Sequence, residues 1–213
     1  VIIVSWNVKD KLRDNLHALL DSAGDFSGEI FVVDNASEDG SAAAAEEILG
    51  GLDQVGRWSG RVIKNDSNLG FAKANNQAIR EANGDFILLL NPDMKPDPQT
   101  LAKMLVWYKE HPEVVVAGCH LRDKHGKTIR QVRRFPKFLD QLAIVSKLPH
   151  AFPGILDHYI PSSFDYYRES AVDSIRGSFF MINRRRWTEL SGEERPLLDE
   201  RYFVWFEEVD FCR

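Results

Sequence analysis

Short apolar runs alternate with stretches of helical spacing over the first two-thirds of the chain. The runs are "VIIVSWN", "EIFVVDN", "RVIKN", "DFILLL" and "EVVVAG". Between them apolar residues recur every three or four positions, as Leu12, Leu16 and Leu19 do, which predicts amphipathic helices. Strands that are apolar on both faces and separated by helices form mainly parallel sheets covered on both sides. We therefore predict an α/β fold with a mainly parallel central sheet and helices on both faces.

Polar residues follow three of these predicted strands at the point where each strand ends. They are Asn7, the pair Asp34-Asn35 and the tripeptide Asn91-Pro92-Asp93. Ligands of open parallel sheets bind outside the carboxyl ends of the strands. The convergence of three polar strand ends predicts a binding site at that edge more strongly than any one of them does.

Asp93 has two interpretations. A carboxylate at a strand end can bind Mg²⁺ or Mn²⁺, which prefer oxygen ligands and often bridge to a substrate's phosphates. Asn-Pro-Asp is also good turn chemistry, and from the tripeptide alone the turn is the better explanation. Asp34 is similarly open: it can accept a hydrogen bond from a nucleotide base or ribose, or form a local turn before a helix capped at Ser37 or Ser41.

The stretch "NLGFAKANN" is unusual for the start of a helix. Gly70 predicts a close backbone approach or a positive φ. Asn75 and Asn76 are poor helix-interior residues, so we expect their side chains to make specific contacts. Lys73 could neutralise a phosphate, although a lone lysine is more often solvated. We expect this helix to end at Gly84.

Near its end the chain combines acids with aromatic residues in "WFEEVDF". Crowded carboxylates beside aromatic rings tend to have raised pKa values, because desolvation and like charge both disfavour ionisation. This suits a general base. Acids at a helix N-terminus that complement its dipole explain the cluster equally well. The candidates are Glu207, Glu208 and Asp210.

Composition excludes several classes of protein. With 44% hydrophobic residues the chain can form a core, and its net charge of -5 argues against a nucleic-acid partner. Its two cysteines, Cys119 and Cys212, allow no disulfide framework, which fits the reducing cytoplasm. No apolar run approaches the ~20 residues of a membrane span. The glycine signatures of dinucleotide oxidoreductases, P-loop NTPases and α/β-hydrolases do not occur.

The last third of the chain has a different pattern. "DKHGKTI" predicts a hairpin turn, and "SIRGSFFMINRR" predicts one further strand. For residues 135 to 170 we expect an irregular or helical segment over the site. The chain begins inside a strand pattern without methionine and stops just after the acidic cluster, so we expect a piece of a longer protein. We divide it into a first half, residues 1–120, and a second half, residues 121–213.

Taken together, five blocks in order resemble the family 2 glycosyltransferases, in particular their bacterial rhamnosyltransferase-like branch. The blocks are "VIIVSWN", "EIFVVDNASEDGS", "NLGFAKANNQAIREANGDFILLLNPD", "RGSFFMINRR" and "LDERYFVWFEEVDFC". The resemblance covers residues 1 to 134 and 174 to 213. It implies a GT-A fold in which residues 1–120 bind a nucleotide-sugar and residues 121–213 bind the acceptor and complete catalysis.

The resemblance also implies roles for individual residues. Asp93 matches the metal ligand of the family's DxD-type motif, whose first position is Asn91 here, so Mg²⁺ or Mn²⁺ is the expected cofactor. Glu208 occupies the position of the family's catalytic Asp and is one methylene longer; Glu207 and Asp210 are its neighbours in the expected catalytic group. The residues expected to bind the nucleotide-sugar are Ser5, Asn7, Asp34, Asn35, Asn68, Gly70, Lys73, Asn75 and Asn91.

The implied function is metal-dependent, inverting transfer from dTDP-rhamnose or a UDP-sugar to a glycan or lipid-linked acceptor in cell-wall or polysaccharide biosynthesis. A lipid-linked acceptor would bring the protein to the inner face of the membrane as a peripheral protein. One alternative is an inactive paralogue that binds nucleotide-sugars or serves as an interaction module. The other, a nucleotidyltransferase, ranks low because "SWNVKDKLRD" lacks the glycine-rich loop that would hold a triphosphate.

Overall fold

The computed structural model describes residues 1–52, 56–150 and 152–213. The chain forms two compact units. The first comprises residues 1–117 and 177–207, and the second comprises residues 118–176 and 208–213. From the sequence we divided the chain at residue 120 into a donor-binding half and an acceptor-binding half. That division of roles stays a prediction.

The described residues form eight strands, and the first five of them overlap the five predicted apolar runs. In chain order they are β1 (Ile2–Ser5), β2 (Gly28–Asp34), β3 (Trp58–Lys64), β4 (Phe86–Leu90), β5 (Val116–Ala117), β6 (Val132–Arg133), β7 (Ser174–Ile175) and β8 (Phe179–Asn183). Six of them form the central sheet of the first unit, in the order β3-β2-β1-β4-β8-β5. The first four are parallel, whereas β8 runs antiparallel to both β4 and β5. This confirms the predicted α/β fold with a mainly parallel sheet.

Helices connect these strands. They are α1 (Lys9–Leu20), α2 (Ser41–Gly50), α3 (Phe71–Glu81), α4 (Thr100–Glu110), α5 (Phe138–Val145), α6 (Arg184–Ser191) and α7 (Glu207–Phe211). The apolar stripe of α1 is fully buried, and α3 packs on β1 and β2. Among the helices of the described residues, none is both long enough and apolar enough to cross a bilayer.

The core of the first unit lies around the central strands. Ile3, Val32 and Phe180 have no exposed surface, and Leu89 is 2% exposed. Tyr108 lies among them, and its hydroxyl donates a hydrogen bond to the carbonyl of Met181 at 2.6 Å. Burial raises the pKa of Tyr108 above its ordinary range, so the ring stays neutral and the hydroxyl remains a donor.

Several boundaries differ from the sequence predictions. Helix α3 ends at Glu81 rather than near Gly84, because Ala82 already has extended backbone. The run "EVVVAG" contributes only the two residues of β5. The single strand predicted from "SIRGSFFMINRR" is two strands, since Ser174–Ile175 pairs with β6 in the second unit while Phe179–Asn183 joins the central sheet.

The second unit contains a small antiparallel pair and the helix α5. Strands β6 and β7 align Val132 with Ile175 and Arg133 with Ser174. The predicted turn at "DKHGKTI" is present: the amide of Asp123 donates to the carbonyl of Lys127, and Arg122 bridges to Thr128. After α5 the chain forms two short 3-10 turns, Leu148–His150 and Pro153–Leu156.

Candidate functional site

The four parallel strands of the first unit end at one edge of the sheet. The register of β1 and β2 pairs Ser5 with Asp34, and that of β2 and β3 pairs Asp34 with Lys64. Strand β4, on the other side of β1, ends at Leu90 just before Asn91. The topology thus collects the predicted polar strand ends along the edge where ligands of such sheets bind.

Asp34 is the central residue of this edge. The residue is 3% exposed, and its Oδ2 accepts a hydrogen bond from the amide of Ser37 at 2.9 Å. Within the described part of the chain, its Oδ1 and the Oγ of Ser5 are buried without a hydrogen-bond partner. A buried polar atom left unsatisfied costs roughly 1–3 kcal/mol, and more when it is charged. An incoming donor group at this place would remove that cost.

Asn7 links the loops that follow β1 and β2. Its backbone amide donates to Ser37 Oγ at 2.9 Å, and its Oδ1 accepts from the amide of Glu38 at 2.8 Å. Asn7 has a φ of 53°, a conformation that asparagine tolerates better than most residues. Nearby, the backbone amide of Ser41 donates to Asp39 Oδ1 at 2.9 Å. Desolvation acts to raise the pKa of Asp39, but the hydrogen bonds that it accepts, from Ser41 and Lys9 among others, together outweigh this effect and lower the pKa. The two hydrogen bonds of Asn7 thus hold the loop after β2, beside Asp34, in place.

A network of amide side chains supports the next part of the edge. Asn35 donates to Asn68 Oδ1 and to the carbonyl of Gly70, both at 3.2 Å, and accepts from Asn65 at 2.9 Å. Asn65 and Gln77 exchange a reciprocal pair of hydrogen bonds. Asn35 and Asn68, expected as ligand contacts, hold the loop ahead of α3 in place; direct contact with a nucleotide-sugar stays a prediction for both.

Gly70 fulfils both interpretations made for it from the sequence. Its φ is +82°, and a Cβ at this position would lie 2.3 Å from the carbonyl oxygen of Phe203. That same carbonyl accepts a hydrogen bond from the amide of Phe71 at 2.7 Å. The close approach is thus to a neighbouring backbone segment of the first unit, which Gly70 allows to lie against the start of α3.

Asn75 and Asn76 make the specific contacts that their positions predict. Asn75 donates to the carbonyl of Phe71 at 2.9 Å. Asn76 is fully buried, donates to Leu198 O at 2.8 Å and to Glu200 Oε1 at 3.0 Å, and accepts from the amide of Leu198 at 2.9 Å. Lys73 is exposed on the same helix. Its expected role toward phosphate stays a prediction.

The turn that is one of the two interpretations of Asp93 is formed after β4. The amide of Met94 donates to Asn91 O at 3.1 Å, which closes the turn, and the amide of Asn91 donates to Ser178 O at 3.1 Å. Asn15 donates to the carbonyls of Asn91 and Met94, at 3.1 and 2.7 Å. The side chain of Asp93 is exposed at the tip of this fixed turn, so turn formation and metal binding are compatible.

Asn15 is a residue whose role the sequence analysis missed. It lies on the buried face of α1 between Leu12 and Leu16 and is 0% exposed. A polar residue within an apolar helical stripe is the signal that could have found it, because buried polar groups need partners. Here the partners are the two carbonyls of the Asp93 turn.

The acidic cluster forms the short helix α7. Glu207, in the first unit, is 4% exposed, whereas Glu208, in the second unit, is half-buried and Asp210 is exposed. Trp205 and Phe206, just before the helix, both have a φ of 73°. Two consecutive non-glycine residues with positive φ store backbone strain, and such strain is often found at functional sites.

Glu208 lies within the electrostatic surroundings of several groups of the second unit. Burial and the charge of Arg176 lower the pKa of Arg133, while Glu208 acts in the opposite direction. Burial raises the pKa of Tyr159, and Glu208 adds to that rise. Burial, followed by the charge of Glu208, raises the pKa of Cys212 to about 11. The roles of Glu207, Glu208 and Asp210 in catalysis stay predictions.

The carboxylate of Asp93 fits a divalent cation that is bound partly by the protein and partly by a ligand. In the described ranges there is no cluster of three or more His, Cys, Asp or Glu side chains that could hold a metal by itself. Mg²⁺ usually binds through one or two carboxylates together with substrate phosphates. An exposed carboxylate on a well-fixed turn, as at Asp93, matches that second kind of site.

Solved structures define the class of fold. A mannosyltransferase of Pyrobaculum calidifontis, in complex with GDP-Man and Mn²⁺, superimposes with a TM-score of 0.63 at 18% identity, covering 99% of this chain and 49% of the other. Residues 1–349 of TarS of Staphylococcus aureus, in complex with UDP, superimpose with a TM-score of 0.62 at 18% identity, covering 99% of this chain and 52% of the other. The fold is that of the GT-A glycosyltransferases.

The family follows from the sequence comparisons. The model of glycosyl transferase family 2 matches residues 1–188, and the chain belongs to this family. The uncharacterized glycosyltransferase YfnE of Bacillus subtilis is 30% identical over 118 residues, 55% of this chain and 29% of its own length. An N-acetylglucosaminyl-diphospho-decaprenol L-rhamnosyltransferase of Mycobacterium tuberculosis is 24% identical over 194 residues, 85% of this chain and 58% of its own. The chain thus spans between about a third and three-fifths of the length of these relatives.

Proposed function

We propose that this protein is an inverting glycosyltransferase that moves a sugar from a nucleoside-diphosphate sugar to a hydroxyl group of a glycan or lipid-linked acceptor. Family membership supports sugar transfer. The observation that carries the donor class is the pair of buried, unpartnered oxygens at paired strand ends, Ser5 Oγ and Asp34 Oδ1, as far as the described residues extend. They lie at the sheet edge where nucleotides bind in such folds.

Asp34 recognises the nucleoside in this proposal. Its Oδ1 accepts a hydrogen bond from a base N–H or a ribose hydroxyl, while its Oδ2 remains bound to the amide of Ser37. A ligand that supplies this donor satisfies a buried carboxylate, and a ligand that lacks it leaves the carboxylate unsatisfied. Such mismatches discriminate strongly between ligands.

Asp93 holds the divalent cation in this proposal, with Asn91 beside it at the end of β4. Bound Mg²⁺ or Mn²⁺ supplies positive charge near the diphosphate leaving group. Asn15 and Ser178 fix the turn that presents Asp93. Lys73 adds a second positive charge toward the phosphates.

Glu208 is the general base. Its carboxylate takes the proton of the acceptor hydroxyl while the acceptor oxygen forms a bond to the anomeric carbon. The bond from that carbon to the diphosphate oxygen breaks, and its electron pair leaves with the nucleoside diphosphate. One in-line displacement inverts the anomeric centre, and a positioned base contributes ~10²–10⁴-fold to the rate.

The donor we expect first is dTDP-rhamnose, followed by UDP-sugars. The M. tuberculosis relative is named as an L-rhamnosyltransferase of a diphospho-decaprenol lipid, and a B. subtilis relative as a putative teichuronic acid biosynthesis enzyme. These names favour a lipid-linked or cell-wall acceptor. Such an acceptor would place the protein at the inner face of the membrane.

The test is a donor panel assayed for release of nucleoside diphosphate, with and without Mn²⁺ and with acceptor. Three isosteric variants identify the base: Glu207→Gln, Glu208→Gln and Asp210→Asn. We expect only Glu208→Gln to lower turnover, by ~10²-fold or more, and Asp93→Ala to abolish the stimulation by Mn²⁺.

Turnover close to that of the unchanged protein in both Asp93→Ala and Glu208→Gln would reject the proposed mechanism. Tight nucleotide binding without any release of nucleoside diphosphate, across the panel, would favour the alternative of a binding module.

A further inference from the structure

Helix α5 in the second unit has its polarity reversed relative to an ordinary surface helix. Its buried residues are Asp140 and Ala143. Its outer face carries Phe138 and Val145, both 80% exposed, and Leu139, 71% exposed. A surface helix of a globular protein normally buries its apolar stripe and exposes its charges.

The exposed apolar residues form one stripe. Leu142, 48% exposed, lies one turn after Phe138 and one turn before Val145, and residues three or four positions apart are neighbours on a helix surface. The apolar surface continues beyond the helix, where the two 3-10 turns pack against α5. Phe152, between the two turns, is 62% exposed, and Ile155, in the second turn, is 41% exposed. We call these six residues the α5 surface: Phe138, Leu139, Leu142, Val145, Phe152 and Ile155.

The inward face of α5 is well anchored. The amide of Lys137 donates to Asp140 Oδ2 at 2.8 Å, and His158 Nδ1 lies 3.4 Å from the same oxygen. The amide of Phe152 donates to the carbonyl of Leu148 at 2.9 Å, which fixes the first turn after the helix. The outward direction of the apolar side chains is thus built into the local hydrogen bonding.

The charge around the α5 surface indicates what it meets. Residues 130–147 contain five basic side chains and one acidic side chain, a net charge of +4, whereas the whole chain has a net charge of -5. The one acidic side chain is the buried Asp140. Lys137 and Lys147 are exposed at the two ends of the helix, while Asp157 lies near Arg130 and Arg134. An apolar stripe with lysines at both ends matches a helix lying in the interface of an anionic bilayer, where lysine stems cover apolar surface and their ammonium groups reach the phosphates.

We propose that the α5 surface docks the protein on an anionic lipid bilayer, with the apolar stripe at the level of the acyl chains and Lys137 and Lys147 at the headgroups. The eight residues of α5 are far fewer than a membrane span requires, so the contact is peripheral. The proposal does not depend on sugar transfer, because docking is measured without donor or acceptor.

The test is co-sedimentation of the 213-residue chain with sucrose-loaded vesicles of phosphatidylcholine, either alone or with 30% phosphatidylglycerol (a fraction of about a third gives a strongly anionic surface). We expect binding to the anionic vesicles that falls at least ~threefold in 0.5 M salt, because salt screens the headgroup charge. We expect Phe138→Asp and Val145→Asp each to weaken it ~10-fold or more. Lys137→Gln combined with Lys147→Gln should weaken binding to the anionic vesicles and not to the neutral ones.

The matched control is Val106→Asp, which places the same charge at an apolar side chain of α4 that is 54% exposed. It should bind vesicles like the unchanged protein, and far-UV circular dichroism should show every variant folded. No binding by the unchanged protein, or equal loss in Val106→Asp, would overturn the proposal. A dimer in light scattering that Phe138→Asp dissociates, with no vesicle binding, would also overturn it and assign the surface to a second copy of the chain.

Discussion

At the scale of single residues, Gly70 is required for two reasons: its backbone conformation and the close approach of another backbone segment. Its φ of +82° with a ψ of 178° is a backbone conformation that is essentially restricted to glycine. The space that a side chain would need is occupied by the backbone of Phe203. Gly192 has a similar φ of +74°, yet nothing lies within 4 Å of where its Cβ would be.

We therefore expect Gly70→Ala to destabilise the protein more than Gly192→Ala does. Gly192 has left-handed helical backbone, which costs an alanine about 1–2 kcal/mol, and this is the cost we expect for Gly192→Ala. Gly70→Ala meets both a backbone region essentially restricted to glycine and a clash with a carbonyl oxygen, so we expect a further ~2 kcal/mol or displacement of the backbone at Phe203. Urea denaturation followed by circular dichroism measures both. Equal costs for the two variants would show that the close approach is not rigid.

Cys212 reports on the surroundings of the proposed base. Burial and then the charge of Glu208 raise the pKa of this thiol to about 11, and the thiolate is the reactive form. We expect alkylation by iodoacetamide at pH 8 to be at least ~10-fold slower than for an exposed cysteine. Removal of the negative charge in Glu208→Gln should lower the pKa of Cys212 and shift its rate profile to lower pH.

Mass spectrometry of the two cysteine peptides against pH checks this prediction, with Cys119 as the internal reference. An unchanged Cys212 profile in Glu208→Gln would place the carboxylate away from the thiol.

At the scale of elements, Asn76 connects α3 to the segment that precedes α7. Three hydrogen bonds join its side chain to Leu198 and Glu200. Arg80, one turn further along α3, pairs with the same Glu200 at 2.7 Å. Asparagine is unfavourable inside a helix, but here its side chain forms hydrogen bonds with groups of a chain segment that is distant in the sequence.

Asn76→Ala should destabilise the protein by about 2–3 kcal/mol, because it leaves buried backbone groups of Leu198 without partners. Hydrogen exchange of the Leu198 amide should accelerate more than exchange in β2. Asn83→Ala is the control, since Asn83 is exposed and its amide side chain bonds at the surface. A change in Asn76→Ala as small as in Asn83→Ala would show that the segment is held by other contacts.

The elements that the sequence predicted well are those with local signals. The buried strands β2 and β4 end where their apolar runs meet Asp34 and Asn91, and α1 follows its leucine spacing. The break between β7 and β8 could not be predicted, because it depends on pairing with β6 and β4, which are distant in sequence. The end of α3 at Glu81 depends on backbone conformation at Ala82 rather than on a glycine.

The site shows the same contrast. Polar strand ends made Asp34 and Asp93 candidates from the sequence alone, and their roles toward a ligand stay predictions, whereas the close backbone approach expected at Gly70 is confirmed. Asn15 was missed because its role depends on two carbonyls that lie 76 and 79 residues away in the sequence. The outward apolar face of α5 was missed as well, since residues 135 to 170 show no clear period and only burial reveals which side of the helix is exposed.

At the scale of the whole molecule, the chain returns to the first unit after leaving it. Residues 177–207 supply β8, which lies between β4 and β5, and the Phe203 segment against Gly70. The sheet edge with Asp34 and Asp93 is therefore supported by residues from both ends of the sequence. A nucleotide bound at this edge should stabilise the whole first unit, because a ligand that binds the folded state raises its stability by mass action.

The central claim is that this edge binds a nucleoside diphosphate together with a divalent cation held by Asp93. Isothermal titration of UDP and dTDP into the protein, in Mn²⁺ and in EDTA, tests it most directly. We predict binding of at least one of them in Mn²⁺, weakened ~10-fold or more by EDTA, by Asp93→Ala and by Asp34→Asn. Binding of equal strength in EDTA and in Asp93→Ala, or no binding of either nucleotide in Mn²⁺, would contradict the account.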